Sequence, residues 1–366
     1  MAKYEIEVWD KTAGRIGDIR PMCQNLQWSK TRNDAESLSF DIDQNLFNTY
    51  LKATGYIDSP LSFIEAGRTD FRVKRNGAYL FGANLVSMAY SGDETTVRKT
   101  YNAAGYLNYL SHRYINASYT GWYQEDILND VLAKLQSQPG GDFGFARGAT
   151  VMGMRVKRDR TYVDKEVKTL FTQLSEVING CDFDFTADKK LNVYAAIGRY
   201  RPSLRISYPG NVTRFNFTRS VENVANVIIG KGSGTGNDGV QATASDTIAA
   251  DYCYRREKIA TYNSVTDRNT LQQNVDAVLN ATKQPFEIPT VKLQNDTLDL
   301  NVVGIGDTIH LDMSESPDLE LRRIDGSYRI EKITCSVDDT DSEEVTLDFD
   351  NLDIQKIIDQ QQEAEA

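Results

Sequence analysis

Apolar and polar residues alternate with a period of two through the first 100 residues. Residues 4–8 read Tyr-Glu-Ile-Glu-Val and residues 37–42 read Ser-Leu-Ser-Phe-Asp-Ile, a pattern typical of strands that bury one face. The pair Asn76-Gly77 predicts a tight hairpin turn, because both residues tolerate positive φ angles. Gly82, inside the next apolar run, predicts a bulge or bend. We therefore expect a sandwich or small barrel here.

The middle of the chain changes to helical spacing. Apolar residues over 124–138 and over 164–179 recur at steps of three and four, which predicts two amphipathic helices. We expect Asp164 to be the N-cap of the second helix and Gly180 to follow its C-terminus. Residues 181–197 alternate again and predict a hairpin. Two helices and a hairpin make an α+β module.

The last part of the chain returns to β patterns. Residues 212–229 predict two short strands, residues 248–258 a further strand, and residues 267–283 a helix. Residues 230–246 are rich in Gly, Ser, Thr and Asp and predict an exposed loop. The remaining predicted strands cover residues 290–293, 308–311, 327–337 and 345–349.

This order predicts four segments: a β domain over 1–100, an α+β domain over 101–200, a second β domain over 201–350 and a helical tail over 351–366. The fold class is mainly β with α+β, in which two β domains of similar size flank the helical one. A helix as short as the tail is unstable alone in water, so we expect it to pack on its own body or on a neighbour. Its apolar positions are Leu352, Ile354, Ile357 and Ile358.

Composition and net charge exclude several classes of function. The chain has 366 residues, 40% hydrophobic and 25% charged, with a net charge of −11, which is typical of a globular protein and argues against phosphate binding. An acidic surface is compatible with a conduit through which DNA passes without specific binding. The first residues lack the apolar core of a signal peptide, and no apolar stretch reaches the ~20 residues of a membrane helix. We expect folding in a cytoplasm and no membrane insertion.

Residues that carry chemistry are sparse and scattered. His112 and His310 have no evident catalytic partner in the sequence, and we interpret both as ordinary strand or loop residues. The four cysteines form no CxxC motif, so we predict neither a metal site nor disulfides and expect four buried apolar side chains. These cysteines are Cys23, Cys181, Cys253 and Cys335.

Three local patterns invite functional hypotheses. Asp182 and Asp184 lie two apart on a predicted strand, as paired carboxylates of a glycosidase can, but we interpret them as the polar face of a half-exposed hairpin. Trp122-Tyr123 can stack on a sugar or a base, although without a basic frame they fit a core or an interface. Residues 234–239 match GxGxxG, yet loop and strand follow where a dinucleotide site requires a helix.

We therefore interpret residues 230–247 as a flexible channel or interface loop, and we predict no catalytic residue, cofactor or metal. The candidate loop residues are Lys231, Ser233, Asn237 and Asp238.

The ordered set of segments 14–43, 102–114, 158–185, 302–313 and 326–339 resembles a known family. Examples are RNDAESLSF, AGYLNYL, NGCDFDF and GSYRI, which are similar to turn and strand positions of siphophage tail hub proteins. These are also called minor tail proteins or tail-associated baseplate hub proteins.

The resemblance implies a structural, non-enzymatic protein of the virion, assembled in the host bacterial cytoplasm and located at the phage tail tip. It implies that the two flanking domains are β-barrel-like and lie side by side in each subunit. Three subunits then form a homotrimer, a pseudo-sixfold ring around the DNA channel used in genome ejection, with the α+β domain decorating or plugging the ring. The implied partners are the tail tube, the distal tail protein ring, the tape measure protein and a tip or fibre protein.

The chain differs from many tail hub proteins in one respect, and two alternative functions stay open. Many hubs carry a further C-terminal domain, whereas the roughly 16 residues after the last strand leave no room for a lytic domain; we expect the tail helix to dock a tip or fibre protein. The first alternative is a baseplate hub or spike-base protein of a myophage or contractile injection system. The second is a cell-wall-degrading enzyme, which requires a concave site with clustered carboxylates and aromatic residues.

Overall fold

A computed structural model describes residues 2–43, 45, 49, 64–153, 155–177, 179–221, 224–234, 239–247, 254–262, 265–283, 286–294 and 297–349. Within these residues the chain is mainly β, has three α-helices and builds three apolar cores. The predicted fold class, mainly β with an α+β part, is confirmed. The tail helix predicted over 351–366 lies outside the described residues.

The N-terminal strands follow the alternation of the sequence. Asn76 and Gly77 have φ angles of 51° and 77°, so the predicted hairpin turn is confirmed. The bulge in this hairpin lies at Leu80 rather than at Gly82. A Cβ on Gly82 would lie 2.4 Å from the Tyr106 ring, so glycine is needed there for close packing. The strands are β1 (Tyr4–Asp10), β2 (Gly14–Asp18), β3 (Cys23–Thr31), β4 (Ser37–Asp43), β5 (Thr69–Arg75), β6 (Ala78–Gly92) and β7 (Val97–Gly105).

Residues 106–194 form a unit with its own apolar core, which we call the α+β module. The helix predicted over 124–138 is confirmed, but the second helix begins later than expected. Asp164 is not its N-cap, because Asp164 lies in a strand with φ 46° and exchanges hydrogen bonds with Asn116 of the paired strand. The elements are β8 (Tyr114–Tyr123), α1 (Gln124–Gln136), β9 (Ala146–Val151), β10 (Lys157–Glu166), α2 (Val167–Glu176), β11 (Asp182–Phe185) and β12 (Lys190–Tyr194).

The remaining elements rejoin the N-terminal strands and add a small third core. Asp267 accepts a hydrogen bond from the Thr270 amide at 2.8 Å and caps the third helix, as the range 267–283 predicts. Part of the loop predicted over 230–246 is a strand that pairs with its neighbour. The elements are β13 (Tyr200–Ser207), β14 (Val212–Ser220), β15 (Val227–Lys231), β16 (Gln241–Ser245), β17 (Glu257–Thr261), α3 (Arg268–Thr282), β18 (Phe286–Leu293), β19 (Thr308–Asp312), β20 (Asp325–Val337) and β21 (Glu343–Phe349).

One large sheet joins the two β regions. Its order is β14-β18-β21-β20-β3-β4-β7-β6-β5-β1-β2, and β13 and β19 branch from β20. Because β3 pairs with β20 along Leu26–Thr31, strands from both ends of the chain share one sheet and one apolar core. The described strands form no closed barrel.

The domain boundaries drawn from the sequence stay a prediction. Among the helices in the described ranges, none has the length and apolar content needed to cross a membrane.

Candidate functional site

One face of the large sheet carries mostly small polar side chains. Strand register aligns them in rows across β21, β20, β3, β4, β7 and β6. The alternate residues, such as Trp28, Leu38 and Cys335, point into the core and are nearly fully buried. We call this surface the polar face. Its two central rows are Thr346, Thr334, Ser29 and Ser37, and Glu344, Ser336, Gln27, Ser39, Asn102 and Ser87.

Hydrogen bonds and ion pairs link side chains of the polar face. Ser39 donates to Asn102 at 3.0 Å, and Asn102 donates to Ser87 at 3.4 Å. Glu344, the charged residue of the two central rows, pairs with Lys292 at 2.5 Å. A surface of this kind stays hydrated and offers little to a phosphate backbone, whose binding requires clustered Lys and Arg.

Behind the polar face, a buried ion cluster links β1, β5 and β21. Arg75 donates to both carboxylate oxygens of Glu343, at 2.7 and 2.8 Å, and Tyr4 donates its hydroxyl to the same carboxylate. Arg75 and Glu343 are only 5% and 2% exposed. Burial, followed by the charges around it, raises the pKa of the Tyr4 hydroxyl well above its usual range. We call Tyr4, Arg75 and Glu343 the Arg75 cluster.

A second ion cluster fastens the α+β module to the large sheet. Asp182 of β11 accepts from Arg32 at 2.9 Å and from Arg329 at 2.8 Å. Asn33 donates to the same carboxylate at 2.7 Å. Burial raises the pKa of Asp182, but the charges and hydrogen bonds of these partners outweigh it and hold that pKa below its usual value. We call Asp182, Arg32 and Arg329 the Asp182 cluster.

This cluster corrects the interpretation of Asp182 and Asp184 as a half-exposed polar pair. Asp182 is buried and bound by the sheet, whereas Asp184 accepts from Asn192 of the neighbouring strand at 2.9 Å. No local pattern predicts the ion pairs of Asp182, because Arg32 and Arg329 are 150 and 147 residues away.

Glu36 lies at the same junction and is almost fully buried. Lys30 is the nearest cation, at 3.9 Å. A Cβ on Gly105, where the chain leaves β7 for the module, would lie 2.0 Å from the Glu36 carboxylate. Burial raises the pKa of Glu36 to about 7, although Lys30 opposes that shift.

The two histidines and the three described cysteines lie far apart in the elements of the fold. His310 pairs across strands with Asp325 at 2.6 Å, and His112 is exposed at the end of a 3-10 helix. Cys23, Cys181 and Cys335 are free and buried, as expected, while Cys253 lies outside the described residues. Within the described ranges, no group of three or more His, Cys, Asp or Glu side chains could hold a metal ion.

The predicted interface residues are described only in part. Lys231 ends β15 and is exposed. The Ser233 amide donates to the Val265 carbonyl, and the Ser233 carbonyl accepts from the Val240 amide. The next element described after the GxGxxG match is β16, a strand, where a dinucleotide site requires a helix. Outside the described residues lie Asn237, Asp238, Leu352, Ile354, Ile357 and Ile358, and the roles of these positions stay predictions.

This chain is similar to known proteins in its fold but not in its sequence. No family model and no curated protein matches the chain. Solved structures of phage tail proteins do match it over nearly its full length. The tail protein from Neisseria meningitidis MC58 is 13% identical, with 99% of each chain covered and a TM-score of 0.65.

Two further structures extend this likeness. The 43 kDa tail protein of prophage MuSo2 from Shewanella oneidensis is 12% identical, covers 98% of this chain and 99% of its own, and has a TM-score of 0.64. An E. coli type VI secretion component, described as similar to the T4 tail proteins gp27 and gp5, is 12% identical, with 90% and 74% covered and a TM-score of 0.52.

The chain therefore has the fold of phage tail proteins, and the resemblance to tail hub proteins is confirmed at the level of fold. The descriptions of these three proteins name tail and secretion-system components, not enzymes.

Proposed function

We propose that this chain is a structural hub subunit of a phage tail tip, and that three copies form a pseudo-sixfold ring around the DNA channel. The observation that carries the proposal is the polar face, which continues through β strands from both ends of the chain. Facing the channel, these rows would present DNA with hydroxyl and amide groups and few uncompensated charges. DNA would then pass without binding, because affinity for its backbone depends on Lys and Arg contacts.

The open sheet supports assembly into a ring. Its path ends at β14 on one side and at β2 on the other, and unpaired strand edges are surfaces that another chain can contact. A closed ring of identical subunits uses one such contact repeatedly, head to tail. As a hub, the ring would join the tail tube and the distal tail protein to the tip or fibre, beside the tape measure protein.

The mass of the purified chain, measured by light scattering on a sizing column, tests the ring. We expect about three times the chain mass of 41.1 kDa, either alone or after mixing with the distal tail protein as a template. A single-chain mass under both conditions would overturn the proposed ring.

A double variant tests whether the polar face lines the channel or lies between subunits. Replacing both Ser39 and Asn102 with Arg adds bulk and charge to the polar face. If the face lines the channel, the trimer mass is kept and the ring gains salt-sensitive affinity for double-stranded DNA. Loss of the trimer would instead place the polar face between subunits. The control replaces Val163, which is 74% exposed on the module, with Arg, and this variant should keep the mass and gain no comparable affinity.

The likeness to the type VI secretion component favours a second candidate, the baseplate hub of a myophage or contractile injection system. The ring geometry is the same in both cases, so the partners decide. Co-assembly with a distal tail protein ring supports the siphophage hub. Co-assembly with a spike protein and sheathed-tube baseplate components, but not with that ring, supports the alternative.

A further inference from the structure

The α+β module carries an open groove of about 580 Å³ where β8 runs into α1. Trp122 lines the groove near the end of β8, together with Asp126, Asn129 and Asp130 of α1 and Arg147 of β9. Neither the polar face nor the two ion clusters uses these residues, so the groove is independent of the proposed ring.

Trp122 provides an exposed aromatic surface that is held in place. Its ring contacts Tyr119 edge-on, with 5.2 Å between centroids and an angle of 64°, which fixes the ring without stacking on it. Trp122 stays 43% exposed, whereas Trp28 is 1% exposed in the core. An exposed indole in a groove lined by polar groups is the arrangement that stacks on an apolar ligand face while polar neighbours orient the ligand.

Helix periodicity places the polar groups together. Positions 126, 129 and 130 are spaced i, i+3 and i+4 and therefore share one side of α1. Asp126 and Asp130 present carboxylate oxygens, which accept hydrogen bonds, and the Asn129 amide both donates and accepts. The groove suits a ligand that presents many hydroxyl groups.

The charges of the groove are already balanced within the protein. Asp126 pairs with Arg155 at 2.6 Å and with Arg147 at 3.5 Å, while Asp130 pairs with Lys134 at 2.7 Å. A cationic peptide would have to displace these partners, and a phosphate would meet two carboxylates. Neutral polar ligands face neither penalty.

We propose that this groove binds an uncharged oligosaccharide, with a sugar ring stacked on Trp122 and its hydroxyl groups bonded to Asp126, Asn129 and Asp130. The test titrates the full chain with cellotetraose, maltotetraose and tetra-N-acetylchitotetraose. Tryptophan fluorescence and calorimetry follow binding. Trp122 should dominate the fluorescence change, because Trp28 is buried and Trp9 lies under the Arg72 guanidinium at 3.7 Å.

We expect at least one of the three sugars to bind, and Trp122→Ala to weaken that binding by about tenfold or more. Trp122→Phe should recover part of the affinity, and Asn129→Ala should lower it severalfold. The matched control is Tyr114→Ala, an exposed aromatic position at the other end of β8, which should leave affinity unchanged. Circular dichroism checks that each variant is folded.

Binding by none of the three sugars would overturn the proposal. So would equal binding by folded Trp122→Ala, or binding of a lysine-rich peptide in place of every sugar. Because the light-scattering mass tests the ring separately, failure here leaves the proposed hub untouched.

Discussion

The Arg75 cluster and the Asp182 cluster both bury ion pairs between segments far apart in the chain, but their surroundings differ. The Arg75 cluster lies inside the large sheet, where the same strands also share main-chain pairing and an apolar core. The Asp182 cluster bridges two separate cores, and its arginines keep 21% and 27% side-chain exposure. The difference indicates that the large sheet is one stiff body, to which the α+β module is fastened largely by polar contacts and close-packed glycines.

Removing the carboxylate of the Arg75 cluster gives the largest expected effect on stability. Glu343→Ala leaves the Arg75 guanidinium buried with only Asp299 and Asn301 as side-chain partners and removes the acceptor of the Tyr4 hydroxyl. We expect a loss of about 3–5 kcal/mol in the free energy of unfolding. Urea denaturation measures the loss.

The adjacent residue provides the control for this variant. Glu344 lies on the polar face with 51% of its side chain exposed and pairs with Lys292. Glu344→Ala should cost less than about 1 kcal/mol, because exposed ion pairs contribute little. Similar losses for the two variants would contradict the distinction between a stiff interior and a hydrated face.

The sequence predicts which strand faces of the large sheet are buried better than it predicts how the strands pair. Alternation around Leu38 and Phe40 identifies strands and their buried face, and Asn76-Gly77 identifies a turn, because these signals act within a few residues. The pairing of β3 with β20 joins residues about 300 apart, and no local pattern encodes it. The alternation predicts that each strand has a polar side, but it does not predict the rows of the polar face, because these depend on strand register.

The second variant tests the attachment of the α+β module. Asp182→Asn removes the charge shared by Arg32 and Arg329 while preserving the shape of the side chain. We expect a smaller loss of about 2 kcal/mol, since Arg32 keeps Glu331 and Arg329 keeps the Ile197 and Gly306 carbonyls. Thermal unfolding measures the loss, and hydrogen exchange should show it concentrated in residues 106–194.

Asp184→Asn is the matched control, because Asp184 has the same side chain on the same strand and its hydrogen bond with Asn192 lies within the module. It should change stability by less than about 0.5 kcal/mol. A uniform increase in exchange across the large sheet of Asp182→Asn would show that module and sheet unfold as one unit.

These two carboxylates mark the limit of sequence reasoning at the candidate site. Asp182 and Asp184 look equivalent in the sequence Asp-Phe-Asp-Phe, and the period of two places both on one side of a strand. Their environments differ because Arg32, Asn33 and Arg329 reach only the first of them. The N-cap prediction for Asp164 is wrong for a similar reason, since pairing of β10 with β8 overrides the local preference.

The smallest expected effect is a pH dependence at the junction itself. Burial raises the pKa of Glu36 to about 7 in the folded chain, above the roughly 4.3 of an exposed glutamate. Between these values the folded state binds a proton that the unfolded state has lost, so the contribution of Glu36 to stability falls as pH rises and levels off above the folded pKa. Between pH 5.5 and 6.5, the stability of the wild type relative to Glu36→Gln should fall by about 1 kcal/mol. Urea denaturation of both proteins at the two pH values measures this difference, and the comparison cancels every other titrating group that the two chains share. A constant difference would show that Glu36 is already ionised at pH 5.5, with Lys30 compensating its charge, and the junction would then resemble the Arg75 cluster more closely than its burial suggests.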